Sequence, residues 1–201
     1  MPPVTLALLF ANGAMFLLQL ALPGLPYAFG LWPIGSWRVN GVRVGFEFWQ
    51  LLTYAFLHGG TLHLLFNMFA LWMFGGPIER VFGGPRYLLY YFVCVVSAGI
   101  TQLAVSTLGG MVYVTIGASG GVFGLLLAYG MYFPHTRIML LFPPIPMPAR
   151  VFVVVFALLE LVLGVTGSSE GIAHFAHLGG MAGGFVMIRY WRSGGTMRGP
   201  L

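Results

Sequence analysis

The sequence predicts an all-α integral membrane protein with six membrane-spanning helices in one domain over residues 1–201. Two observations predict this class. First, 59% of the 201 residues are apolar and only 6% are charged, whereas about 25% of the residues in an ordinary soluble domain are charged. Second, the mean hydropathy is +0.91, so the chain lacks the polar groups that would cover a soluble surface. The same composition excludes an intrinsically disordered chain.

Six apolar stretches are long enough to cross a bilayer, which takes about 20 helical residues. We place them near residues 4–23, 51–74, 87–108, 115–133, 150–167 and 171–190. No basic residue precedes the first stretch, so it is predicted to be a retained helix and not a secretory signal. Residues 24–50 are rich in Pro, Gly and Trp, and they are predicted to form a loop at the membrane interface.

The arginine distribution predicts how the spans are oriented. Arg38 and Arg43 lie between the first two spans. The other seven lie in the even-numbered loops or toward the C-terminus, at positions 80, 86, 137, 150, 189, 192 and 198. Because basic residues favour cytoplasmic loops, both termini are predicted to be cytoplasmic. Topology therefore explains the net charge of +5, and no nucleic-acid partner is expected. A short chain without a targeting segment leads us to expect a prokaryotic plasma membrane.

Polar side chains inside the predicted spans are candidate functional groups, because lipid makes their burial expensive. The second span holds His58, His63 and Asn67, the fourth Ser119, the fifth Glu160, and the sixth His174 and His177. The even-numbered spans run in the same direction, which places Ser119 and His177 at a similar depth in the outer half of the membrane. His63 and Asn67 lie about three to four turns into the second span. A tilted or early-starting second span would bring them level with the others.

These residue types point to acyl-transfer chemistry. Ser119 becomes a nucleophile when a base such as His177 takes its proton. His63, Asn67 and backbone N–H groups at the start of the fourth span would stabilise the developing oxyanion. Gly117 and its neighbouring glycines leave the Ser119 backbone open. The sequence contains no Asp, and no acid is placed in it to orient His177, so a Ser–His dyad is expected and not a triad.

Small residues predict that the fourth and sixth spans pack closely. The helical spacing puts Gly180 and Gly184 on the same face of the sixth span as His177. On the fourth span it puts the small residues Gly117, Gly121, Gly124 and Ala128 on one face. Such faces let membrane helices approach each other. Their contact would bring the serine within reach of the histidine.

At these residues the sequence resembles the rhomboid intramembrane serine proteases. The resemblance runs from about residue 45 to residue 188, in four ordered motifs: HGGTLHLLFNM at 58–68, GGPIERVFG at 75–83, GASGGVFG at 117–124 and AHLGGMAGG at 176–184. It implies a six-helix rhomboid bundle in which Ser119 is the nucleophile and His177 the general base and acid. It also implies an oxyanion hole formed by His63, Asn67 and the Ser119 backbone N–H.

The resemblance implies further supporting residues and a substrate class. Gly117 matches the first glycine of the Gly-x-Ser-Gly motif, and His58 matches a histidine with a structural or hydrating role. The implied substrates are single-span membrane proteins, cut in or near the outer end of the span. The loop of residues 24–50 would lie partly in the outer leaflet, and the fifth span would form a lateral gate. No cofactor or metal is implied, and the oligomeric state is left open.

Three positions depart from the family pattern. Phe123 stands where many members have a Tyr whose ring packs on the catalytic His. Phe keeps the ring and loses only the hydroxyl, so we expect little loss of catalysis. Gln50 follows Trp49 where a Trp-Arg pair is common, so a loop contact is expected to be missing. Glu160 has no counterpart, and we expect a protonated carboxyl bonded to a neighbouring helix. For His174 we expect an interfacial or structural role.

Two alternative functions compete with the protease. A catalytically silent rhomboid-like protein would bind membrane clients without cutting them, but Ser119 and His177 are both present. A small transporter lined by histidines would bind a metal. The lack of internal repeats and of acidic ligands beside the histidines counts against that transporter.

Overall fold

The computed structural model describes residues 1–139, 144–167 and 173–194, and nine α-helices lie in this part of the chain. They are α1 (Pro3–Ala21), α2 (Leu25–Phe29), α3 (Gln50–Thr53), α4 (Thr61–Ala70), α5 (Gly76–Phe82), α6 (Gly84–Leu108), α7 (Ser119–Tyr132), α8 (Ala149–Thr166) and α9 (His174–Ser193). A 3-10 turn (Tyr54–Phe56) follows α3, and a π turn (Leu71–Gly75) joins α4 to α5. The all-α expectation needs one addition, because two small antiparallel strand pairs are present. They are β1 (Trp37–Val39) with β2 (Val42–Val44), and β3 (Arg137–Met139) with β4 (Pro146–Pro148).

Four helical segments in the described residues are long and apolar enough to cross a membrane. They are Pro3–Ala21, Thr61–Phe82, Gly84–Leu108 and Ala149–Thr166. The fourth predicted span is a shorter helix of 14 residues, α7, and the sixth is the 20-residue α9, which carries two histidines and two arginines. The six-span prediction is thus supported by length and composition for four segments. Arg198 and the predicted start of the last span at residue 171 lie outside the described residues.

The predicted start of the second span at residue 51 is wrong. Residues 50–56 form short turns, the chain is extended at Leu57 and Gly60, and the long helix begins only at Thr61. His63 therefore lies in the first turn of α4, at the same helical depth as Ser119 in α7. Neither a tilt nor an early start is needed to bring the two residues level, because the preceding ten residues are not part of the helix.

The fourth predicted span also begins late, at Ser119 and not at residue 115. Gly117 has φ +131°, a conformation that only glycine adopts readily, so the helix cannot extend back through it. Thr115 and Leu31 exchange two backbone hydrogen bonds of 2.9 and 3.0 Å, and the Gly117 N–H donates to the Tyr54 carbonyl at 2.9 Å. These bonds hold residues 115–117 as an extended strap in front of Ser119.

Glycines let α6, α7 and α9 form the tightly packed centre of the molecule, as the small-residue spacing predicts. A Cβ atom at Gly180 of α9 would collide with the carbonyl oxygen of Gly120 in α7. A Cβ at Gly124 would collide with the Cys94 sulfur of α6 and lie 3.3 Å from the Gly180 oxygen. Gly121 differs from the expectation, since it faces the Tyr91 ring of α6 and not α9.

Polar side chains fix the two peripheral segments. Glu79 of α5 accepts hydrogen bonds from the N–H groups of Val4 and Thr5 at 2.9 and 2.7 Å, and from the Thr5 hydroxyl at 2.7 Å, which anchors the start of α1. In the loop of residues 24–50, Gln50 accepts from the N–H groups of Trp32 and Glu47 and donates to the carbonyl of Gly45. Gln50 therefore holds this loop itself, and the expected loss of a loop contact is wrong.

Candidate active site

Ser119 and His177 lie in contact where the first turns of α7 and α9 meet. Ser119 is the first residue of α7, and His177 lies in the first turn of α9. The Ser119 Oγ is 2.8 Å from the His177 Nε2, which is a hydrogen-bond distance. The glycine contacts between α7 and α9 set this distance, because larger side chains would push the two helices apart. A hydroxyl in this position can pass its proton to the imidazole.

Glu160 of α8 lies on the other side of the His177 ring. Its Oε2 is 2.8 Å from the His177 Nδ1 and 2.6 Å from the His174 Nδ1. The expectation that no acid is placed to orient His177 is therefore wrong in geometry. The expected bond from Glu160 to a neighbouring helix is present, and it reaches α9. His174 is 6% exposed, so it is a buried partner of Glu160 and not an interfacial residue.

Phe123 covers the face of the His177 ring. The two ring centroids are 4.2 Å apart and the planes differ by 5°. Phe123 lies one turn after Ser119 on α7, so the same helix supplies the hydroxyl and the stacking ring. The ring contact implied for this position is present without a Tyr hydroxyl, and it restricts rotation of the imidazole.

His63 and Asn67 of α4 lie beside Ser119. The Gly59 N–H donates to the His63 Nδ1 at 3.2 Å, so a neutral His63 carries its proton on Nε2. That atom lies against Gly117, where an added Cβ would be 2.9 Å from it. Asn67 donates one amide N–H to the His63 carbonyl at 2.9 Å and keeps a second N–H. These donors line one cavity with Ser119.

His58 lies behind His63, in the segment that precedes α4. Its ring packs edge-on against the His63 ring at 5.2 Å, and its backbone exchanges two hydrogen bonds with the Gln19 side chain. Burial, with a smaller contribution from His63, lowers the pKa of His58 to about 4. His58 is thus neutral at pH 7. Its packing supports the orientation of His63.

A comparison with known protein families agrees with this geometry. The family model of the rhomboid domain matches residues 45–193. The chain belongs to the rhomboid family. This rhomboid is 34% identical over 148 residues to the rhomboid protease GluP of Bacillus subtilis, covering 74% of this chain and 27% of GluP. It is 32% identical over 176 residues to YdcA of the same organism, whose protease designation is provisional, covering 84% and 83%.

A third relative is less similar in sequence, but its alignment extends over most of the present chain. This rhomboid is 28% identical to the rhomboid protease GlpG of Klebsiella pneumoniae over 194 residues, covering 92% of this chain and 62% of GlpG. The chain thus spans about a quarter of the length of GluP and less than two thirds of GlpG. The family and the apolar helices together make this chain an integral membrane protein.

The cavity of this rhomboid has a volume of about 670 Å³, which is enough for a short peptide segment. The strap and the two residues before it, 113–117 together, form one wall. Phe66 and Asn67 of α4 form another, and Phe156 of α8 lies at the side. Ser119 and His177 both line it. A peptide bond in this cavity would lie between the Ser119 hydroxyl and the donors of His63 and Asn67.

A metal site is the competing interpretation of these histidines. The objection that no acidic ligand lies beside them is wrong. Within the described residues, the ligand atoms of Glu160, His174 and His177 lie within 4.8 Å of one another, so an acidic ligand is available beside two histidines. Both Nδ1 atoms nevertheless lie at hydrogen-bond distance from the same carboxylate oxygen. A zinc ion would have to displace the protons in these two bonds. The observed distances fit a hydrogen-bonded network.

Sequence reasoning flagged Glu160 as a polar residue within a span, but it missed the partner. It also missed Gly59, which sets the tautomer of His63, and Tyr54, whose carbonyl holds Gly117. The glycine pair at 59 and 60 was a usable signal for a helix start. No sequence signal indicated the Tyr54 contact, because it joins two irregular segments.

Proposed function

We propose that this rhomboid is an intramembrane serine protease in which Ser119 attacks a peptide bond and His177 acts as base and acid. The 2.8 Å contact between the Ser119 Oγ and the His177 Nε2 carries the proposal. The hydroxyl proton passes to Nε2 as the Oγ–carbon bond forms. The C–N bond then breaks, and Nε2 gives the proton to the leaving amine. Water releases the acyl group by the reverse proton path.

The oxyanion of the tetrahedral intermediate would lie near the start of α7. The Ser119 backbone N–H is at the first helical position, where an N–H has no partner within its own helix. The His63 Nε2–H and the second Asn67 N–H approach the same cavity. Three donors from α4 and α7 would thus stabilise the negative charge as it develops.

The proposed substrates are single-span membrane proteins, cut in or near the outer end of the span. The site lies at the first turns of α4, α7 and α9, so it is close to one membrane face. A substrate segment must unwind there, because a helical peptide bond is covered by its own hydrogen bonds. Phe156 places α8 beside the cavity, which supports lateral entry past this helix.

The arginine positions support a site that opens away from the cytoplasm. Arg189 and Arg192 lie in the last turns of α9, at the opposite end from His177, and Arg80 lies near the end of α5. Basic residues favour the cytoplasmic side. We infer that both termini are cytoplasmic, in a prokaryotic plasma membrane.

The test is cleavage of a single-span substrate by the protein reconstituted in lipid vesicles, with labelling at Ser119 by a fluorophosphonate probe read by mass spectrometry. Ser119→Ala and His177→Ala should abolish cleavage, since the nucleophile or its base is lost. Ser193→Ala and His135→Ala, at exposed positions away from the site, are matched controls and should retain it. Cleavage by the Ser119→Ala protein at the wild-type rate would contradict the proposal.

The same assay separates the alternatives. A catalytically silent client-binding protein would capture the substrate without cleavage and without labelling at Ser119. A metal carrier would hold stoichiometric metal and also remain unlabelled. Labelling that requires His177 supports the protease alone, because it reports an activated serine.

A further inference from the structure

Glu160 is a buried acid in the apolar helix α8. From residue 151 to the end of the helix at Thr166, the sequence has no other charged residue. Glu160 is 7% exposed, whereas its neighbours Leu159 and Leu161 are 46% and 45% exposed. The helix therefore turns its acid inward and its leucines outward. Burial of a carboxylate is unfavourable unless hydrogen bonds compensate for the lost hydration.

The compensating contacts are the two histidines of the first turn of α9. One oxygen, Oε2, lies at hydrogen-bond distance from the Nδ1 atoms of both His174 and His177. An ionised carboxylate oxygen accepts two hydrogen bonds, and a histidine donates from Nδ1 when its proton is there. The start of a helix also favours a nearby negative charge. The arrangement fits a carboxylate that accepts an N–H from each ring.

This arrangement determines which nitrogen of His177 is free for Ser119. A proton on Nδ1, directed at Glu160, leaves the lone pair on Nε2, which is the atom that faces the Ser119 Oγ at 2.8 Å. The opposite tautomer would direct an N–H at the serine and could not take its proton. When His177 accepts that proton it becomes a cation, and an adjacent carboxylate stabilises the cation in a site with little water.

We propose that Glu160 is a positioning residue that completes a Ser119–His177–Glu160 relay, with His174 as a second donor that holds the carboxylate in place. Glu160 remains ionised throughout, and the only proton transferred is the one between Ser119 and His177. This inference depends on the proposed protease function and extends it, since the sequence alone predicted a dyad. His174 supports the relay through the carboxylate, because its ring contacts Glu160.

The first test compares Glu160→Gln with the wild-type protein. The amide has nearly the same volume, but it carries no charge to stabilise the His177 cation. We expect kcat to fall about 100-fold or more, by analogy with triads whose acid is replaced. KM should stay within about twofold, because Glu160 does not line the cavity. The rate of fluorophosphonate labelling at Ser119 should fall in parallel with kcat.

Variants of His174 separate positioning from a purely structural link between α8 and α9. His174→Phe removes the second donor and should lower kcat about tenfold, less than Glu160→Gln does. His174→Asn keeps a donor near the Nδ1 position and should restore most of the loss. If Glu160 only joins the two helices, the Glu160→Gln and His174→Phe proteins should lose activity and thermal stability to the same extent.

A measurement on the wild-type protein keeps the inference falsifiable if Glu160→Gln fails to fold. Nitrogen-15 NMR of histidine-labelled protein in micelles, with the His177 signals assigned by their loss in His177→Phe, reports which nitrogen carries the proton. We expect the proton on Nδ1. A proton on Nε2, or a Glu160→Gln protein with kcat within twofold of wild type, would overturn the inference. Failure of the wild-type protein to cleave or label would instead contradict the protease function itself.

Discussion

Replacement of Gly117 by Ala should reduce catalysis through the oxyanion donors while the fold persists. Gly117 lies directly before the N-cap of α7 and has φ +131°. A Cβ atom there would lie 2.8 Å from the His63 Cε1 and 2.9 Å from its Nε2. Ordinary carbon contacts begin at about 3.5 Å. The His63 ring must therefore move by roughly 0.7 Å, or the strap must move by a similar distance.

This displacement acts on a donor and not on the nucleophile. Loss of one oxyanion donor costs about 100- to 1000-fold in kcat, and a misplacement of about 1 Å costs about 100-fold. For Gly117→Ala we expect a decrease in kcat of about 10- to 100-fold with a small change in KM. The positive φ should also destabilise the fold by about 1–3 kcal/mol.

The matched control is Gly110→Ala. Gly110 also has a positive φ, +63°, but no heavy atom lies within 4 Å of an added Cβ. It should lower the unfolding temperature without changing kcat, so it separates backbone strain from displacement of His63. Both proteins would be assayed for cleavage in vesicles and for thermal unfolding. A Gly117→Ala protein with kcat within twofold of wild type would refute the placement of His63 beside the reacting carbonyl.

Two further predictions concern the ring and the cluster beside His177. Phe123→Tyr should retain kcat within about twofold, because the stacked ring at 4.2 Å is preserved. Phe123→Leu should lower kcat about fivefold, since an aromatic contact of about 1 kcal/mol is lost. Equal steady-state cleavage rates for Phe123→Leu and wild type would contradict that role. Removal of divalent metal with EDTA should leave cleavage unchanged, because the Nδ1 atoms of His174 and His177 already contact Glu160. A loss that zinc restores would instead support a metal site.

The pairing of Ser119 with His177 could be predicted from the sequence because several independent features coincide. Both residues lie in apolar stretches where polar groups are unfavourable, and both adjoin glycines that permit close helix packing. The contact between their side chains is present as expected, while their catalytic roles stay predictions. His63 and Asn67 share the cavity for a different reason than expected, namely the late start of α4.

That late start was missed because hydropathy does not distinguish an apolar helix from an apolar loop. Residues 51–57 are mostly apolar, yet they form short turns that pack against α6. Tyr54 is 2% exposed, and its hydroxyl donates to the Val95 carbonyl at 2.8 Å. The apolar composition of this segment is the same as that of the following helix, so composition does not show where the helix begins. The distinguishing signal is the glycine pair before Thr61, because consecutive glycines mark a turn and so a helix boundary.

The partner of Glu160 was missed for a rotational reason. The sequence shows which residues share a face of α8, but it does not show how that face is turned toward α9. A rotation of about 100° separates successive residues of a helix, so the same segment could have directed Leu159 or Leu161 inward. Only the packed arrangement shows that Glu160, rather than a leucine, contacts the first turn of α9.

Glu79 and Glu160 are two buried acids that each contact the first turn of a helix. Glu79 accepts hydrogen bonds from three donors at the start of α1, and Glu160 contacts two side chains in the first turn of α9. Each lies where unpaired N–H groups and the helix dipole favour negative charge. At α1 the result is an anchored helix. At α9 the same kind of contact involves the histidine that faces Ser119, so an interaction that secures a helix start also fixes the orientation of the proposed base.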